Sequence, residues 1–342
     1  MRRAITATGF ILLLGYTLVL YGRGSLVALS YAPIMFIVFC AWIIGLGYES
    51  ARECRSVCLV SGRGDPGTLR TNTFDAVAVL AGTLFTYPAS VELGMGPVVA
   101  SGLAGIVAVV VAKPYAVAAF CGSFVGMASP QAFGYPEVTA AGFLAAAIFV
   151  ASKPVFGGFG GKLGTIAWSS SVSVALVLDA SLTSEAVYPV SVGAPLVFYA
   201  TVGAVVTFVL SIRFAWGAVL ASGAVGVAAG IVLPLVHGSD PGSLYAVSAF
   251  CGSFAGMCSL DRFTRTSAMI PAGILCGLIL IYSAPFFGGG GGKLGTAAFG
   301  AVIGLRGLLE LGRPAYSKGE SGPRPTAPMP RHTPLSSNHR RT

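Results

Sequence analysis

Two lysines in this chain occupy the same uncommon setting. The run Pro154-Val155-Phe156-Gly157-Gly158-Phe159-Gly160-Gly161-Lys162-Leu163-Gly164-Thr165 returns 131 positions later as Pro285-Phe286-Phe287-Gly288-Gly289-Gly290-Gly291-Gly292-Lys293-Leu294-Gly295-Thr296. A glycine-rich turn that opens a helix offers bare backbone N–H groups, the positive end of the helix dipole and, here, one ammonium; all three favour a negative charge. The pattern fails as a nucleotide-phosphate loop: no Ser or Thr follows the lysine, the leading glycine stands one place too close, and the run occurs twice between apolar segments. The competing reading is that each lysine snorkels to lipid headgroups while the glycines permit tight packing. Gly160, Gly161, Lys162 and Thr165, with Gly291, Gly292, Lys293 and Thr296, are therefore candidate pathway residues for a small anion.

A second motif is also duplicated. Tyr115-Ala-Val-Ala-Ala-Phe120-Cys121-Gly122-Ser123-Phe124-Val-Gly126-Met127 is matched 130 positions on by Tyr245-Ala-Val-Ser-Ala-Phe250-Cys251-Gly252-Ser253-Phe254-Ala-Gly256-Met257. Small residues four apart, Gly122 with Gly126 and Gly252 with Gly256, allow two helix backbones to approach closely. Alternatively, Cys-Gly-Ser breaks a helix near the bilayer centre, and Cys121, Ser123, Cys251 and Ser253 touch a permeating solute. The two readings are compatible.

Little else in the chain could do chemistry. The histidines are His237 in a short loop and His332 and His339 in the tail, and Cys54 and Cys58 share a basic loop with no histidine nearby. No metal site, cofactor or catalytic arrangement is expected, and the chain does not read as an enzyme. Cys40, Cys121, Cys251, Cys258 and Cys276 lie in apolar runs and read as buried small hydrophobes. Asp75, at the start of an apolar segment, is either a proton or cation site or an interfacial carboxylate; Glu310, four residues after Arg306, reads as half of a local ion pair.

The elements that carry these residues follow from composition. The 342 residues are 55% hydrophobic and only 10% charged, against roughly 25% charged in an ordinary soluble domain. Apolar runs long enough to cross ~30 Å of hydrocarbon recur almost end to end, and they lack the alternation of a transmembrane barrel. Twelve segments are predicted, at 4–21, 29–48, 74–91, 95–112, 115–131, 137–152, 164–180, 194–211, 214–235, 244–260, 267–283 and 294–311. The first is expected to be a retained helix, because no clean cleavage site follows it. The expected fold is an all-α polytopic integral membrane protein.

Basic residues collect in cytoplasmic loops. With the N-terminus inside and all segments crossing, the inside receives Arg2, Arg3, Arg52, Arg55, Arg63, Arg70, Lys113, Lys153, Lys162, Arg213, Arg262, Arg265 and the tail; the outside receives Arg23 and Lys293. That partition predicts a multi-pass protein of the plasma membrane with both termini cytoplasmic. The net charge of +9 is then spread along loops beside an anionic leaflet, and nucleic acid is not an expected partner.

The duplicated motifs divide the chain. Residues 1–72 form two helices and a basic loop, 73–183 a first repeat, 184–312 a second, and 313–342 a basic tail rich in Pro and Ser that should be disordered. Each repeat holds five segments. An odd number inverts the second copy relative to the first, whereas one re-entrant segment per copy would make the two parallel. The five-plus-five plan is similar to that of several channel and transporter folds, urea and ammonium channels among them, a likeness of architecture that does not carry substrate with it. The expectation is a channel or secondary transporter for a small solute, most simply an anion, with the pathway between the copies. The alternatives are a small neutral solute on the same path, or a nontransporting scaffold. The expected partners are solute and lipid bilayer, and the sequence is compatible with a homo-oligomer.

Overall fold

A computed structural model describes residues 2–60, 69–180 and 182–312. The remainder of the basic loop and the tail expected to be disordered lie outside the described residues. The described chain is built of α-helices joined by turns: α1 (Arg2–Tyr31), α2 (Pro33–Val60), α3 (Leu69–Val91), α4 (Gly96–Val111), α5 (Ala116–Val125), α6 (Tyr135–Ser152), α7 (Lys162–Val177), α8 (Val190–Phe208), α9 (Ala218–His237), α10 (Ser239–Ala255), α11 (Met269–Ser283) and α12 (Lys293–Leu311). Eight helical stretches are long and apolar enough to cross a membrane: α1, α2, α3, α6, α8 with the turn that continues it to Arg213, α9, α11 with the turn that precedes it from Thr266, and α12. The other four, α4, α5, α7 and α10, have 16, 10, 16 and 17 residues. At 1.5 Å per residue α5 reaches about 15 Å, half a hydrocarbon core.

Each expected segment coincides with a helix, but several boundaries differ for physical reasons. The polar stretch Arg23-Gly24-Ser25 lies inside α1 rather than in a loop, because nothing there breaks a helix; the turn comes at Ala32, with Pro33 as the first residue of α2. The fifth segment ends early. Helix α5 passes unbroken through Cys121-Gly122-Ser123 and stops after Val125, so the break is at Gly126 and not at Cys-Gly-Ser. The irregular backbone that follows is satisfied within the protein: Ser129 N–H donates to Gly289 O at 2.8 Å, and Ser259 N–H to Gly158 O at 2.9 Å.

Glycines set the closest helix approaches. A Cβ on Gly122 would overlap the Val79 carbonyl of α3, and one on Gly252 the Ala200 carbonyl of α8. Helices α4 and α9 meet back to back, where a Cβ on Gly102 would stand 2.7 Å from Gly223 O and one on Gly223 2.8 Å from Gly102 O. Helices α7 and α12 meet at Gly164 and Gly295, with Gly161 against Phe299 and Gly292 against Trp168. Residue numbers on one helix fall as those on the other rise, so the two run antiparallel over their first two turns.

The first two helices brace this assembly. Tyr21 Oη donates to Ala297 O at 2.6 Å and Trp42 Nε1 to Ala301 O at 2.9 Å, tying α1 and α2 along α12; Tyr16 Oη and Ser173 Oγ, 2.6 Å apart, tie α1 to α7. At one end of the bundle a charged cluster joins α2, α12 and the segment after α10. Arg52 pairs with Glu49 at 2.9 Å and Glu310 at 3.3 Å, Arg306 with Glu310 at 2.9 Å, and Arg262 with Glu53 at 3.1 Å. The Arg306–Glu310 pair is the one expected from their spacing.

Candidate functional site

Each glycine turn belongs to one half of the chain and rests on the other. Gly160 lies against the carbonyls that end α10, at Phe254 and Ala255, and Gly291 against those that end α5, at Phe124 and Val125. No side chain fits between those backbones. Phe156 and Phe287 open the two turns with φ of 51° and 49°, and Gly161 and Gly292 close them with φ of 78° and 92°. The left-handed region is easy for glycine and costly for phenylalanine, so the turn conformation is imposed by its surroundings.

The lysines point back toward the preceding helix. Lys162 Nζ donates to the carbonyls of Ser152 and Val155, both at 2.6 Å, and Lys293 Nζ to those of Ser283 and Phe286, both at 2.6 Å. Ser152 ends α6 and Ser283 ends α11, where the last turn leaves carbonyls without intrahelical donors and the dipole favours a cation. Each ammonium thus ties the end of one helix to the start of the next. Neither lysine forms an ion pair among the described residues.

The other expected pathway side chains are committed to packing. Thr165 Oγ1 bonds Gly161 O and Thr296 Oγ1 bonds Gly292 O, both at 3.4 Å. Ser123 Oγ donates to Phe120 O and Ser253 Oγ to Phe250 O, which leaves each to accept from a serine on the neighbouring helix: Ser101 at 2.9 Å and Ser222 at 2.8 Å. The Cys121 thiol bonds Leu163 O at 3.4 Å and the Cys251 thiol Leu294 O at 3.3 Å, so both hold the first turn of a lysine-headed helix. All six side chains are fully buried. Asp75 pairs with Lys153, whose ammonium also donates to Asn72 Oδ1 at 2.7 Å.

A cavity of about 340 Å³ lies beside the first turn, lined by Lys153, Gly157 to Lys162, Phe124, Phe254 and Met257. Two of these residues, Phe124 and Phe254, belong to a phenylalanine quartet. Phe124 and Phe254, one from each half, have ring centroids 4.6 Å apart; Phe120 and Phe250 flank them, each within 4.5 Å of its own helix's second ring. All four are buried to within 1%. Sequence reasoning passed over this quartet, although its signal, Phe-x-x-x-Phe, stands inside the duplicated motif.

The clamp on the first turn was also missed. Arg262 Nε donates to Gly157 O at 2.8 Å, its guanidinium lies 4.2 Å from the Phe159 ring centroid, and Glu53 Oε1 accepts from Phe156 N–H at 2.9 Å. The second turn is held differently: Thr183 and Gly288 exchange backbone bonds of 2.9 and 2.8 Å. Buried hydroxyls also recur in register. Thr86 and Thr207, 121 positions apart and set against Gly126 and Gly256, both lack a hydrogen-bond partner among the described residues.

Compared with protein-family models, with curated proteins and with solved structures, the chain matches none.

Proposed function

We propose that this chain is a twelve-helix channel or secondary transporter of the plasma membrane, in which two inverted five-helix repeats, α3–α7 and α8–α12, enclose a pathway for a small anion. One observation carries the reading: two lysines without a carboxylate partner head two antiparallel helices at a contact between the halves, and the Lys162 turn borders a cavity that reaches Phe124 and Phe254. An inverted duplication has its two-fold axis in the membrane plane, and helices that cross on that axis do so at mid-depth. Both ammoniums then stand deep in the membrane rather than in surface vestibules. They supply positive potential where an anion would otherwise lose its hydration uncompensated. The quartet at Phe124 and Phe254 would be the gate.

The quartet also favours a second reading. An apolar constriction penalises a bare ion more than a small neutral solute, so a urea-sized molecule could use the same path.

Flux into proteoliposomes separates the readings. Anion transport predicts a membrane potential that follows the anion gradient, weakened in Lys162→Gln and Lys293→Gln and reversed in sign of effect by Glu at both positions. Swelling with uncharged solutes, unchanged in the double Gln variant, would replace the anion with a neutral solute; no flux of either kind would leave a nontransporting protein.

A further inference from the structure

The two glycine turns differ at one position, where the second lacks a side chain. Where the first turn carries Phe159, the second carries Gly290. The other glycines of that turn are required: Gly289 and Gly292 have positive φ, and Gly291 abuts the carbonyls that end α5. Gly290 is not required. Its φ is not positive, and a Cβ there would meet nothing closer than 3.6 Å, its nearest neighbours being the Trp168 ring and Ser171. Glycine at this place is therefore an absent side chain, not a backbone necessity.

The indole N–H of Trp168 borders that gap. Trp168 is fully buried, and its Nε1 has no acceptor among the described residues. The Nε1 atom would lie 3.7 Å from a Gly290 Cβ. An indole N–H can only donate, and a buried donor left unpaired is costly enough that native structures supply a partner, from the protein, water or a ligand. At the equivalent position the second half carries phenylalanine, with Phe299 edge-on to Phe156 at 5.2 Å as Trp168 is to Phe287 at 5.9 Å. Phenylalanine fills the same packing role without a donor, so the indole nitrogen is an addition peculiar to this side.

We propose that Trp168 Nε1 and the Gly290 gap form a solute subsite next to the Lys293 turn, selective for small solutes that present a hydrogen-bond acceptor, anions foremost. The subsite rests on the pathway reading above and deepens it. A donor-only solute such as methylammonium gains nothing from an N–H and is repelled by the neighbouring ammonium.

The test uses the full chain in lipid nanodiscs and reads heat stabilisation by formate, nitrate, urea and methylammonium, with flux measured in parallel. Binding to the folded state raises the unfolding midpoint whether or not the solute is carried across. Formate or nitrate should raise the midpoint of wild type, and methylammonium should not. Trp168→Phe, the residue its counterpart position already uses, should weaken the apparent affinity about five- to tenfold, the worth of one hydrogen bond. Gly290→Phe should fill the gap and remove the response. If wild type shows no acceptor-dependent shift, or Trp168→Phe and Gly290→Phe respond as wild type does, the subsite is refuted. Absence of flux with the thermal response intact would instead refute the pathway and leave a binding site.

Discussion

Replacing Lys293 tests whether the ammonium anchors the turn. Its two bonds, each 2.6 Å, to the carbonyls of Ser283 at the end of α11 and of Phe286 just beyond it, are charge-assisted, and hydrogen bonds to a charged group contribute about 1.5–3 kcal/mol apiece. Methionine keeps the length and apolar stem but has no donor, so Lys293→Met leaves both carbonyls unmet and should cost about 3–5 kcal/mol. Glutamine is shorter and neutral; reaching one carbonyl at best, Lys293→Gln should cost about 2–4 kcal/mol. With an unfolding entropy near 2 cal/mol/K per residue, that corresponds to roughly 3–6 °C for a chain of this size. Arg keeps charge and donors and should fall between Gln and wild type. The measurement is the unfolding midpoint of each purified variant in one detergent. If Lys293→Met melts with wild type, the ammonium does not hold the helix end, and its geometry here has no energetic weight.

Three further outcomes follow from the packing. Gly122→Ala and Gly252→Ala should each lower the yield of monodisperse protein and cost about 1–3 kcal/mol or more, since the methyl meets a carbonyl of the facing helix; Gly47→Ala, with open space around it, should be neutral or stabilising by up to about 1 kcal/mol, and equal behaviour of all three would sink the close-approach argument. Glu53→Gln should lower the midpoint by an amount equivalent to about 2 kcal/mol, because Arg262 loses the nearer of its two carboxylate partners, at 3.1 Å against 3.8 Å for Glu49, while the Phe156 N–H keeps an acceptor; an unchanged midpoint would show that the clamp is incidental. With all seven cysteines replaced by Ala, Ser239→Cys should react with an impermeant thiol reagent from outside and Ser56→Cys should not; labelling of both from one side would refute the placement of these two positions on opposite faces.

Hydropathy found where the helices are because burial in lipid or protein demands apolar runs, and that demand is visible residue by residue. It did not find where they end. Helix α10 begins at Ser239, five residues before the expected segment, since Ser239-Asp240-Pro241 is a helix-start signal that carries no hydrophobicity. The 115–131 segment is predominantly apolar, yet its helix stops at Gly126, where a Cβ would meet Thr86 and the backbone at Tyr87. The candidate site was legible as a pair of motifs and illegible as geometry. That Lys162 and Lys293 share one setting could be read from their repetition; that their partners are main-chain carbonyls could not, because an orphan carbonyl leaves no mark on residue identity. The same holds for Trp168, whose significance depends on a side chain missing 122 positions later at Gly290.

An anchoring lysine and an anion-attracting lysine are not alternatives, as the charges at each turn make plain. The end of α6 presents about half a negative charge and the start of α7 about half a positive one, so the two dipole ends nearly cancel around the ammonium and a net of roughly one positive charge remains. The same arithmetic applies to α11, α12 and Lys293. Carbonyl partners satisfy the ammonium's hydrogen-bonding capacity without neutralising it, whereas a carboxylate partner would do both. Lys153, paired with Asp75, is the contrast within the same cavity wall: it contributes little field for its charge. Stability should therefore follow the number of donors placed on the helix-end carbonyls, and any effect on permeation should follow the net charge. Arg, Gln and Met at one position separate the two dependences, since Arg changes geometry at constant charge while Gln and Met change donor count at constant zero charge. A permeation defect that tracked donor count, and not charge, would make the lysines structural and return the pathway to a neutral solute.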